Sequence, residues 1–189
     1  VKNSLNIVSG LIGFLTSITF AVWLIYSHSI QNIASWAMWA LLDVCAVLML
    51  IKAGNKKPYL QVGWMFAACF VTITLLFTNS VWQWGWVETA SVFLTCVCAW
   101  FWMTEEKEKV AGLFACSIAM FVAGVPQIYS FWNMPQQDTW WLWACTLLAC
   151  IISFAGAPKF DVRNTLLTLT SAVYNVVILA VLFRKEIFT

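Results

Sequence analysis

Seven apolar runs, near 5–26, 32–52, 59–78, 86–103, 110–131, 139–156 and 164–184, divide the chain, and only short polar connections separate them. Each run meets the roughly 17–25 residues that a helix needs to cross the hydrocarbon of a bilayer. Backbone at that depth finds no water and must bond to itself, so a spanning segment of this kind folds as a helix. The expected architecture is an all-α integral membrane protein with seven transmembrane helices. Hydrophobic residues are 62% of the 189 and charged residues only 10%, against about 25% charged in an ordinary soluble domain. A soluble fold of this size could not hide so much apolar surface. Residues 5–26 read as a retained helix rather than a leader, because the run is long and no small-residue cleavage site precedes the next loop.

The charged residues punctuate these runs. Lys2, Lys52, Lys56, Lys57, Lys107, Lys109, Lys159 and Arg163 fall on one side of a seven-span chain, and only Arg184 and Lys185 on the other. The positive-inside rule then puts the N terminus in the cytoplasm, in a cell (inner) membrane. No basic tract is interleaved with aromatics, so nucleic acid is not an expected partner. The lipid bilayer is one, and the sequence leaves self-association open. All seven cysteines lie inside apolar runs without a C-x-x-C pair, and His28 is the only histidine. Such thiols act as small apolar side chains, and no cofactor or metal is implied. Enzymatic chemistry is not expected: the C-x-x-C of a disulfide catalyst is missing, as is the mid-helix lysine of a retinal protein.

Two stretches repeat one another. AVWLIYSHSIQNIASWAMW (21–39) and GVPQIYSFWNMPQQDTWWLW (124–143) share Tyr-Ser, a polar loop, then Ser/Thr-Trp-x-x-Trp. Tyr26-Ser27 matches Tyr129-Ser130, and Trp36 and Trp39 match Trp140 and Trp143. The chain therefore divides into a first triple-helix unit (1–79), a linker helix with its flanking loops (80–109) and a second triple-helix unit (110–189). Three spans reverse the chain's side and one extra span restores it, so both units enter the membrane in the same sense. Parallel repeats of this kind place substrate sites near the midplane between them. This 3+1+3 arrangement, with Pro126-Gln127 in the first helix of a repeat, resembles the SWEET and PQ-loop superfamily of small-solute transporters. The paired Trp-x-x-Trp is also similar to the related nicotinamide riboside transporter family. The resemblance implies alternating access, with the Pro-Gln helix bending and an asparagine on the third helix of a repeat holding substrate. Asn175 is the residue that matches, and its counterpart on the third helix is Thr72. In SWEETs the N terminus is outside, opposite to what the basic residues imply here.

Several side chains carry candidate chemistry. Pro126 lacks an N–H and frees a carbonyl in its helix, and Gln127 offers an amide beside it, so the pair reads as a hinge or as a static kink. Trp36, Trp39 and Asp43 share one helix face, and the second repeat carries Trp140 and Trp143 without the acid. Indole faces stack on sugars or flat heteroaromatics, while the N–H orients polar groups. Pocket lining and an interfacial tryptophan belt compete as explanations. Trp82, Trp84, Trp86, Trp100, Trp102, Trp132 and Trp141 read as that belt. Asn164, Thr168, Ser171 and Asn175 form a polar stripe on one face of the last helix, which serves either a pocket or helix–helix hydrogen bonding. Asp43 is the one acid deep in a span, either a fixed hydrogen bond or a substrate or proton contact.

The leading expectation is a facilitator for a small ring-containing polar solute, such as a sugar or a B-vitamin or nucleoside-like compound. Its substrate-binding residues would be Trp36, Trp39, Asp43, Thr72, Trp140, Trp143, Thr168, Ser171 and Asn175. The alternative is a SWEET-like membrane receptor or binding protein without transport.

Overall fold

The computed structural model describes residues 2–27, 29–103, 109–133 and 139–184. The connections at 104–108 and 134–138, with Lys107, and the terminal Lys185 lie outside them. The described residues form α1 (Lys2–Ser27), α2 (Ile33–Lys52), α3 (Tyr59–Leu75), α4 (Trp86–Met103), α5 (Lys109–Asn133), α6 (Trp140–Gly156) and α7 (Val162–Leu182). These follow the seven apolar runs to within a few residues. The third run ends early because Leu76, Phe77 and Thr78 bond back three residues, to Ile73, Thr74 and Leu75, which tightens the chain out of the α-helix.

Four helices, α1, α2, α5 and α7, are long and apolar enough to cross a membrane. α3 and α6 have 17 residues each, about 25 Å of helix. They are apolar but shorter, as is the described stretch Trp86–Trp100 of α4. Every helix nonetheless exposes large apolar side chains: Leu15, Leu41, Phe66, Phe93, Ile118, Ile151 and Val176 all face outward.

The helices pack in a definite order. α1 lies on α3 and α3 on α2; α5 lies on α7 and α7 on α6. Contacts between α2 and α5 and between α6 and α1 close these six into a ring, and α4 packs outside it against α5 and α2. Two features set the spacing. At the α1–α3 crossing Gly10 and Gly63 meet backbone to backbone, the close approach that small residues permit in membrane bundles. On α5 alanines receive the neighbouring helices: Ala119 and Ala123 cluster with Leu42 of α2, and Ala115 packs against the cluster that includes Ala46 of α2 and Cys98 of α4.

The two ends of the ring differ. At one end, here the basic end, lie the start of α1 and the end of α6, joined by Asn6 Nδ2 donating to the Gly156 carbonyl at 2.9 Å. Lys52, Lys56, Lys57, Lys159 and Arg163 are also at this end. The far end carries Arg184, which donates to the Phe131 and Trp132 carbonyls at 3.3 and 2.5 Å and lies over the Trp132 ring. The α3–α4 connection also folds back there. Val81 exchanges backbone hydrogen bonds with Gln31 and Ile33, and the buried Glu88 carboxylate accepts from Asn32, Ser35 and the Gly85 N–H.

Candidate functional site

At mid-depth in the ring lies a cavity of about 120 Å³. Among the described residues, all six ring helices wall it and α4 does not. α2 supplies Trp36, Trp39 and Asp43; α3 supplies Trp64, Ala67 and Ala68; α7 supplies Thr170, Ser171, Tyr174 and Asn175. Ser17 of α1, Met120 and Phe121 of α5, and Leu142, Trp143 and Thr146 of α6 complete the wall.

The helical spacing of Trp36, Trp39 and Asp43 places all three on the cavity face, as their common face in the sequence implies. The indole of Trp39 meets Trp36 and Tyr174 edge-on, with centroids 5.1 and 5.8 Å apart, and Trp143 meets Tyr174 at 5.9 Å. α2, α6 and α7 are thus joined by a chain of perpendicular rings, the arrangement their quadrupoles favour. Tyr174 is seated by Gly124: its hydroxyl donates to the Gly124 carbonyl at 3.2 Å, and a Cβ at Gly124 would overlap the tyrosine ring.

Asn175 and Ser171 line the cavity as well. The Asn175 amide is already engaged, accepting from the Thr146 hydroxyl and donating to the Ser171 carbonyl at 2.7 Å. It therefore ties α7 to α6 while facing the cavity. Three residues named from the sequence stand elsewhere. Thr72 turns its hydroxyl back to the Ala68 carbonyl at 2.7 Å. Trp140, the first residue of α6, is half exposed on the outer surface, as are Trp82, Trp84, Trp86, Trp100 and Trp132, while Trp143 turns inward. Trp141, placed in the belt from the sequence, instead packs against Phe20 in the core. The side chain of Trp102 lies outside the described residues.

Thr168 is buried and accepts from Gln61 Nε2 at 3.4 Å, a link between α3 and α7 on the basic side of the cavity. α5 continues as a helix through Pro126 to Asn133. Pro126 and Gln127 are half-buried and outside the cavity wall.

The wall has an unusual polar inventory. Among the described residues, four buried side-chain polar atoms have no hydrogen-bond partner: Trp36 Nε1, Asp43 Oδ1, Trp64 Nε1 and Trp143 Nε1. All four belong to residues of this one cavity. An unpartnered buried polar atom costs about 1–3 kcal/mol, so such atoms mark places where the fold gives up stability. The Trp64 edge rests against Gly13 of α1, where a Cβ would stand 2.7 Å from Nε1.

Core packing above and below is unequal. On the far side one continuous apolar cluster, including Phe20, Leu24, Leu75, Phe131, Ile178 and Leu182, fills the ring. On the basic side the core splits in two, one cluster around Met49, Leu113 and Leu167 and another around Leu60, Ala149 and Cys150. A second pocket opens at that end, between the α2–α3 and α6–α7 connections, walled by Lys56, Lys57, Lys159, Asp161, Arg163 and Asn164 among others.

Trp64, Phe121, Thr146 and Tyr174 were not singled out from the sequence. The usable signal was Tyr174 beside Asn175 and on the same inner arc of α7 as Ser171. No family model, curated protein or solved structure matches the chain.

Proposed function

We propose that the chain spans the bilayer seven times as two triple-helix units joined by α4, and moves a small ring-containing polar solute by alternating access. The observation that carries this reading is the mid-depth cavity walled by α1, α2 and α3 on one side and α5, α6 and α7 on the other. The packing order supports it: α1–α3–α2 corresponds to α5–α7–α6, and the α1–α6 contact corresponds to α5–α2. Exchanging the units leaves this pattern unchanged, as a two-fold axis along the membrane normal would. The resemblance to SWEET and PQ-loop transporters agrees with it. The outward apolar side chains on α3, α4 and α6 favour counting these shorter helices as spans.

The polar stripe of α7 traces a route for the solute. Asn164 lies in the basic pocket, Thr168 in the link to Gln61, and Ser171 and Asn175 in the cavity wall. In this conformation entry is from the basic end, past one long hydrogen bond, while the apolar cluster seals the far end. Movement of the two units about α4 would reverse the two seals.

Joining Gln61→Cys to Thr168→Cys with a short bifunctional maleimide, in a background without native cysteines, should stop uptake into proteoliposomes. Each single variant treated the same way should keep transporting. Full uptake by the cross-linked protein would reject opening at this place, and with it the route.

The basic residues orient the protein with the basic end in the cytoplasm. In intact cells a cysteine at Asn55 should resist an impermeant thiol reagent and one at Gln83 should react. The reverse labelling would invert the orientation.

A further inference from the structure

We infer that the pocket at the basic end, between the α2–α3 and α6–α7 connections, binds a phosphate group, carried by an anionic phospholipid headgroup or by a free anion. Lys56 and Lys57 reach its wall from the first connection, and Lys159 and Arg163 from the second. Asp161 is the one carboxylate among the described residues of that wall. Its Oδ1 is engaged, accepting from the Asn164 N–H and Nδ2 at 3.0 and 2.7 Å. Four positive charges thus face one negative charge that already has partners.

Topology alone does not explain this convergence. The positive-inside rule asks only that basic residues lie at one end, as Lys2 does outside the described wall. It does not ask two connections a hundred residues apart to bring their cations together against mutual repulsion. Here the connections meet. Gly54 turns the chain out of α2 with a φ of 94°, and Asn55 accepts from the Lys57 N–H at 2.9 Å. Asn55 Nδ2 also approaches the Arg163 carbonyl at 3.5 Å, and Arg163 Nη1 lies 4.0 Å from where a Cβ of Gly54 would stand.

The setting points to phosphate among anions. A phosphate presents several charged oxygens in different directions, so it can take the guanidinium fork and lysine point charges together, whereas a carboxylate offers two oxygens in one plane. Basic pockets between helices at the cytoplasmic surface bind phospholipid headgroups for this reason. Phe160, Val162 and Ile51 stand exposed next to the cations in the chain, apolar surface of the kind an acyl chain covers.

The purified protein in an uncharged detergent would be titrated with dioleoylphosphatidylglycerol and dioleoylphosphatidylcholine, counting bound lipid by native mass spectrometry. Inorganic phosphate and acetate, at matched ionic strength, would be compared by melting shift. Phosphatidylglycerol should be retained at least ~5-fold better than phosphatidylcholine, or phosphate should raise the melting temperature where acetate does not. Lipid retention without a phosphate response assigns the site to lipid, the converse assigns it to a free anion, and both together mean that the phosphate group suffices. Lys56→Gln and Lys159→Gln, one from each connection, should each weaken the ligand by about 5-fold, the factor for one basic residue at an anionic surface. Lys2→Gln removes the same charge at the same end and should leave binding unchanged. All three lysines are exposed, so the variants fold. Absence of both preferences, or an equal loss in Lys2→Gln, overturns the inference, the latter because diffuse surface charge would account for the binding.

Discussion

Asp43→Leu should melt at a higher temperature than the parent protein and lose its solute altogether. Asp43 is 5% exposed, with Oδ1 buried and unpartnered, so leucine removes a desolvation cost and loses no bond at that atom. Replacing such a group by an apolar one is worth about 1–3 kcal/mol. The adjoining cavity offers room for the branched side chain, which limits overpacking. The sign discriminates between the two roles open to this residue. A carboxylate that holds α2 in place would leave broken hydrogen bonds behind, and the variant would melt lower. Thermal unfolding in detergent, with binding measured on the same preparation, reads both quantities. A lower melting temperature would assign Asp43 to the fold.

Gly63→Val should prevent stable assembly of the ring. A Cβ at Gly63 would stand 3.1 Å from the carbonyl carbon and 3.2 Å from Cα of Gly10, with the carbonyl oxygen nearer still. Those are backbone atoms of α1, which cannot rotate away as a side chain can. The α1–α3 crossing would have to open, at about 3 kcal/mol. Helix propensity argues the other way, since Gly→Ala in an unpacked helix gains about 1 kcal/mol. Gly63→Ala should therefore also destabilise, by less, against its propensity. Melting temperatures of the two variants test this, and an alanine variant more stable than the parent would mean that α1 and α3 are not pressed together here.

The cavity face of α2 was legible because it depends on local geometry. Trp36, Trp39 and Asp43 are three and seven residues apart, and a helix puts such residues on one side whatever surrounds it. The same holds for Ser171 and Asn175 on α7. Trp140 and Trp143 were not separable in this way. Both are indoles at neighbouring angles on α6, and the bilayer accepts one as readily as the core accepts the other. Trp64, Phe121 and Tyr174 went unnoticed for a related reason. In a water-soluble helix the polar face shows which side is buried, whereas here Phe66 and Ile118, on the outside of the same helices, are as apolar as the residues inside.

The sequence by itself determined that the described residues form seven helices, roughly where each begins and ends, and which polar side chains share a face. Those properties follow from bonds and spacings within about 20 residues. Only the tertiary structure decided that α3 sits between α1 and α2, that Thr168 meets Gln61 rather than the cavity, and that Asp43, Trp36 and Trp143 wall one space. These depend on how far each helix is rotated about its axis, and in lipid that rotation is set by contacts such as Gly10 on Gly63 and Tyr174 on Gly124, between residues distant in the chain.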